Sequence, residues 1–228
     1  AYEISLGLVG SEMCIRDRLA IVQPADLNPV RSSQVCGSCH GMKWFNKSEE
    51  WTTHGFRYRP RDDLAATTPI IQPSKLDKQP WLKQVLEKNP GILNDFFWPD
   101  GHIRVTGREY NGLLESPCHQ RGTMSCVSCH SMHDSDPNDQ LARGMRGNRA
   151  CLQCHEEMAA DLTRHTRHAA DSAGSNCYNC HMPHTAYGLL KAIRGHTIET
   201  PNVAATLKTG RPNACNLCHL DKLSLIHI

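Results

Sequence analysis

The chain has 228 residues, of which 39% are hydrophobic and 6% aromatic, with 16 Gly and 13 Pro. At a mean hydropathy of −0.49, this composition excludes a large core of ordinary apolar side chains, and no apolar run approaches the length of a membrane span. A formal charge of +2 makes no case for nucleic acid.

Residues 3–18, EISLGLVGSEMCIRDR, read like the translation of a sequencing adapter, as does LSLIHI at 223–228. Native sequence is therefore expected from about Leu19 to Lys222, with Cys14 a bystander thiol. CGSCH follows at 36–40. The stretch 57–75, rich in Pro, Arg and Thr, reads as extended loop. LDKQPWLKQVLEKN at 76–89 is a predicted amphipathic helix stopped by Pro90-Gly91. FFWPDGHIRVTGREY at 96–110 carries a Pro-Asp-Gly turn before alternating apolar and polar residues, which predicts a small β-hairpin. CVSCH lies at 126–130 and CLQCH at 151–155; the segment 151–171 is the best helix candidate of the second half. CYNCH at 177–181 and CNLCH at 215–219 complete the set.

Five Cys-x-x-Cys-His motifs thus use ten of the twelve cysteines. Two thiols three positions apart can form thioethers along one porphyrin edge, and the next residue then lies under the ring, where its imidazole can bind iron. A zinc site needs four ligands but sets no requirement on the residue after each CxxC. A disulfide scaffold suits secreted chains below about 100 residues, and a thioredoxin-like motif would be a single CxxC near a βαβ unit. The motifs therefore predict five covalently attached c-type haems, held by Cys36, Cys39, Cys126, Cys129, Cys151, Cys154, Cys177, Cys180, Cys215 and Cys218. The proximal iron ligands are His40, His130, His155, His181 and His219. Haem propionates then turn the holoprotein net acidic, and the porphyrins supply much of the buried apolar surface. An apoprotein of this kind is not expected to fold.

Motif starts are separated by 90, 25, 26 and 38 residues. This divides the native sequence into residues 19–117, with one motif, and 118–222, with a four-haem array; 1–18 and 223–228 stand apart as non-native. The remaining histidines are candidates for the opposite faces of the irons. His133 and His184 share the arrangement CxxCHxxH, which places them on the proximal side, so each would bind a neighbouring haem or remain at the surface. His165 and His168 are one helical turn apart; one is expected to be a ligand, and His168 is the choice. His196 and His54 are further candidates. His119 competes with them, and His102 reads as a solvated hairpin residue. His227 falls in the adapter-like tail.

CLQCH followed by TRH and then CYNCHMPH resembles the doubled-CXXCH cytochromes. CYNCHMP with the downstream GHTIETP is also similar to pentahaem cytochrome c nitrite reductase, over roughly 165–201 and weakly from 118 onward. The resemblance implies His168, His184 and His196 as distal ligands in a packed haem array. The CxxCK motif common in those reductases is absent, since all five motifs end in His.

The expected fold is mainly α and loop-rich, with short helices packed on haems and a small β-hairpin near 96–110. Electron transfer on the periplasmic or extracellular side of a bacterial envelope is the leading functional expectation. Its partners would be redox proteins, other cytochromes or a quinol-oxidising membrane complex. The alternative is a reductase of nitrite, hydroxylamine or a related nitrogen compound. That activity needs one open iron with positive groups nearby; the first motif, with Arg57, Tyr58, Arg59 and Arg61, is the candidate. The same cluster also reads as a solvated loop paired with propionates.

Overall fold

A computed structural model describes residues 21–45 and 48–220; the adapter-like ends, Cys14 and His227 lie outside them. Among the described residues the architecture is short helices joined by loops, with one two-stranded sheet. Helix α1 spans Pro29–His40, with Pro at its start and Asn28 as cap; the Asn28 side chain accepts the Arg31 amide at 3.0 Å. Then come α2 (Ser48–His54), α3 (Leu64–Thr67) and α4 (Pro80–Lys88). Helix α4 realises the predicted helix, its N-terminal limit set by Pro80, which fits the first turn because it needs no amide donor there. The segment 57–75 is mostly extended, interrupted by α3 and by a 3-10 turn beginning at Pro73.

At 96–110 the chain makes the expected turn but not a full hairpin. Phe97 and Ile103 form one antiparallel bridge, and Gly101 takes the left-handed conformation, φ 86°, that closes the turn. The outgoing limb then leaves its partner: Val105 bridges to Tyr187 in parallel, and α5 (Glu109–Glu115) begins at once. Helix α6 (Pro117–Gln120) follows.

The helix expected over 151–171 is broken into pieces. Helix α7 (Arg149–Leu152) gives way to a 3-10 stretch over Glu156–Asp161, and α8 (Leu162–Thr166) ends on Arg167 at φ 61°. A left-handed residue at that place terminates a helix. Helix α9 (Cys177–His181) leads to the ladder β1 (Ala186–Gly188) with β2 (Lys191–Ile193), antiparallel with Tyr187 opposite Ala192. Helices α10 (Val203–Thr209) and α11 (Ala214–Cys218) close the described chain.

Apolar side chains bury one another in two clusters. One gathers Tyr58, Leu64, Ile70, Tyr110 and Leu113; the other Ile71, Leu82, Leu93, Phe97 and Ile103. Asn111 joins them, accepting the Met42 amide at 2.6 Å and donating to the Ile71 carbonyl at 2.7 Å. Both clusters lie before residue 117. Beyond it, the buried described residues are Pro183, Ala186, Gly195, Ala214 and polar side chains such as Ser125, Ser175, Thr197, Arg211 and Asn213.

Candidate haem-binding site

Each motif occupies a helical turn. CGSCH ends α1, CYNCH is α9 and CNLCH runs through α11, while CVSCH sits on a 3-10 turn and CLQCH starts in α7. The histidine amide donates to the first cysteine carbonyl at 2.9 Å in 126–130, 3.1 Å in 151–155 and 2.8 Å in 215–219. That closure puts both sulfurs on one side of the turn, as thioethers to one porphyrin edge require. All eleven described cysteines are free thiols.

Local sequence fixes these turns. Asn213 caps α11 by accepting the Cys215 and Asn216 amides. Asn148 accepts the Cys177 amide at 2.8 Å and donates to the Ser175 carbonyl at 2.7 Å, tying the third motif to the fourth. Arg194 donates to the Tyr178 and Met182 carbonyls and to Asn179 Oδ1, with its guanidinium 4.1 Å over the Tyr178 ring.

Three motif histidines face a second imidazole. His130 and His196 have ring centroids 6.2 Å apart, His165 and His181 6.1 Å, and His168 and His219 6.0 Å. An imidazole nitrogen binds a first-row metal at about 2.0 Å; adding about 1.2 Å from nitrogen to ring centre on each side would put two imidazoles on opposite sides of one metal about 6.4 Å apart. The pairs come within a few tenths of an ångström of that span, with interplanar angles of 24°, 9° and 35°. In place of a self-contained metal site, imidazoles meet in twos: among the described residues no three His, Cys, Asp or Glu side chains converge to hold an ion. Each pair fits an iron whose other ligands come from a porphyrin.

The second ring nitrogens agree with this use. Nδ1 of His181 lies 2.8 Å from the Glu199 carbonyl, that of His196 3.1 Å from Arg194, that of His168 2.6 Å from Thr166 and that of His130 3.3 Å from Gln140. A proton on Nδ1 donated to a carbonyl leaves the Nε2 lone pair for metal. Burial pushes the His196 pKa down and so favours the neutral, metal-binding form. Two glycines make room for His168 and His196. A Cβ at Gly174 would collide with the His168 ring, and one at Gly112 would meet the His196 and Thr197 backbone at 2.8 Å.

The other histidines are placed differently. Among the described residues no imidazole stacks opposite His40 or His155. His54 is exposed at the end of α2, and His133 and His184 are exposed as well. His119 is buried, with Nδ1 2.7 Å from the Met124 carbonyl. His102 is not a solvated hairpin residue. Its Nδ1 lies 3.0 Å from Asp100 Oδ1 and its Nε2 3.2 Å from Glu199 Oε2, so neither nitrogen is left for iron. Burial opposes its charge, but the two carboxylates prevail and raise its pKa to about 9. Arg211, 7% exposed, bridges the same carboxylates at 3.0 and 2.6 Å. The arginines near the first motif are not gathered into a pocket: Arg57 pairs with Glu50 and Arg59 donates to the Phe56 and Tyr58 carbonyls. Tyr58 lies in the apolar core.

Thiols of successive motifs are neighbours. Contact with Cys126 lowers the Cys36 pKa to about 7 and, with burial, pushes Cys126 up. Burial first, then Cys177, raises Cys151 to about 12; burial first, then Cys154, raises Cys129; burial first, then Cys215, raises Cys180. As thioethers these sulfurs no longer titrate, but their adjacency remains. The turns agree, since α1 packs on Cys126–Ser128 and α9 on α11.

The doubled CXXCH motif family matches residues 117–160, which hold the second and third motifs. No curated protein and no solved structure matches the chain. This match covers 44 of the 228 residues and supports a multihaem c-type cytochrome, in which CXXCH motifs indicate covalently bound c-type haem.

Sequence reading missed several positioning residues. The pairing of His165 with His181, the roles of Gly112 and Gly174, and Glu109 beside His40 all depend on contacts distant in the chain. Only the unused Cys118-His119 dipeptide before the second motif carried a local signal.

Proposed function

We propose that this chain transfers electrons through five covalently bound c-type haems on the outer side of a cytoplasmic membrane. The three imidazole pairs at 6.0–6.2 Å carry this reading, because each joins a motif histidine to a histidine outside the motifs. Two imidazoles saturate an iron and leave no place for substrate, so such centres exchange electrons and little else. The distal ligands are His196 for the second motif, His165 for the fourth and His168 for the fifth. His119, buried with its Nδ1 engaged, serves one of the two remaining irons. The sulfur neighbours order the relay as the motifs run, from the first at 36–40 to the fifth at 215–219, with four of the haems forming one array over 118–222. Electrons enter at one end and leave at the other, exchanged with another cytochrome or a quinol-oxidising membrane complex.

A pyridine haemochrome assay should return five haems per chain; two or fewer would end the reading. EPR of the oxidised protein should be dominated by low-spin signals, and His165→Ala should convert one haem to high spin while His184→Ala leaves the spectrum unchanged. The reverse response would refute the ligand assignment. A high-spin wild-type signal with nitrite turnover from a reduced dye would favour the reductase, for which His40 and His155, with no second imidazole opposite them among the described residues, are the supporting observation.

A further inference from the structure

His130, His181, His168 and His196 all direct Nδ1 at neutral backbone carbonyls. His40 differs. Its Nδ1 lies 2.8 Å from Glu109 Oε2, a carboxylate 69 residues away. Glu109 is itself held: its side chain is 22% exposed, and its Oε1 accepts the Gly107 amide at 2.8 Å. It opens α5, which packs on α1, so two helices fix the pair. Glu157, beside His155, stands at 3.8 Å with both side chains exposed, too far for a hydrogen bond.

We propose that Glu109 is a positioning residue that sets the potential of the first-motif haem, by binding the Nδ1 proton of His40 and making that imidazole a partly anionic ligand. The inference rests on the reading of His40 as an iron ligand. A carboxylate on the far ring nitrogen raises ligand basicity and fixes ring orientation. A more basic axial ligand favours ferric over ferrous iron, and so does a half-buried negative charge close by, because the reduced centre carries one positive charge fewer. Both effects act in the same direction. The first-motif haem is therefore more reducing than it would be without Glu109, and it differs from the haems of the second and fourth motifs, whose proximal imidazoles donate to carbonyls.

Glu109→Gln keeps the shape and removes the charge. In a potentiometric titration one haem should move upward most, by about 59 mV, a tenfold change in its oxidised-to-reduced ratio at fixed potential; the haem assigned to His196, on which the Glu109 charge also acts, should move less, and Glu109→Asp should recover part of the shift. A Glu109→Gln protein with five haems and an unchanged titration overturns the inference but leaves haem attachment standing. Mass spectrometry showing no haem on the wild-type Cys36–Cys39 peptide overturns the underlying reading instead. Should Glu109→Gln fail to load haem, near-infrared magnetic circular dichroism of the oxidised wild type decides. One charge-transfer band displaced from the others is expected, and coincident bands would refute the proposal.

Discussion

Residues 21–116 and 117–220 solve the problem of burial in different ways. The first part buries aliphatic and aromatic side chains against one another, with Leu64 and Leu82 almost wholly enclosed. The second holds four of the five motifs, yet its buried apolar side chains are small ones, Pro183, Ala186 and Ala214. Its other enclosed side chains are polar and serve as caps, clamps and ion pairs. A segment of about 100 residues without aliphatic burial cannot offset its conformational entropy. On the proposed reading, porphyrin would take the place of the core in 117–220 and would be an addition to one in 21–116.

The sharpest way to break this contrast is to withhold haem. Expressed without the attachment machinery, residues 117–220 should lose native amide protection entirely in hydrogen exchange, while amides of α4 and α5 keep part of theirs; equal protection in both parts would erase the distinction. A second test acts on the other side. Leu82, fully buried, should cost about 3 kcal/mol on replacement by alanine, seen as a lower denaturant midpoint in 21–116 with no change in the haem spectrum; a spectral change would mean that the two cores are one.

The smallest effect is on pH, at the ion cluster that joins the two parts. His102 is raised from 6.5 to about 9 by Asp100 and Glu199. Below pH 6.5 the imidazolium exists in both folded and unfolded chains, so its stabilisation, on the order of 2 kcal/mol, is fully present. It disappears as pH rises through about 9. The melting temperature should fall across that window in the wild type, and His102→Gln should flatten the fall; an unaltered slope would remove His102 from the account.

The motifs and α4 were legible in sequence because their signals are local: a fixed chemical spacing in one case, an apolar stripe ended by Pro90-Gly91 in the other. The histidine pairings were less so. His165 and His168 look like rivals for one iron if α8 continues through them. It does not, since Arg167 turns left-handed between them and their rings meet His181 and His219 separately. His102 read as solvated because Glu199 and Arg211, which enclose it, lie about a hundred residues further on. Nothing in the neighbourhood of a residue reports partners at that separation.

The single left-handed residue at Arg167 has a kinetic consequence. Two ligands three residues apart have α-carbons at most about 10 Å apart. On the ligand assignment proposed above, the fourth and fifth irons would be leashed by a few covalent bonds, and the step between them would be insulated from motions elsewhere in the molecule. Any gate on electron passage would then act at one of the other three junctions.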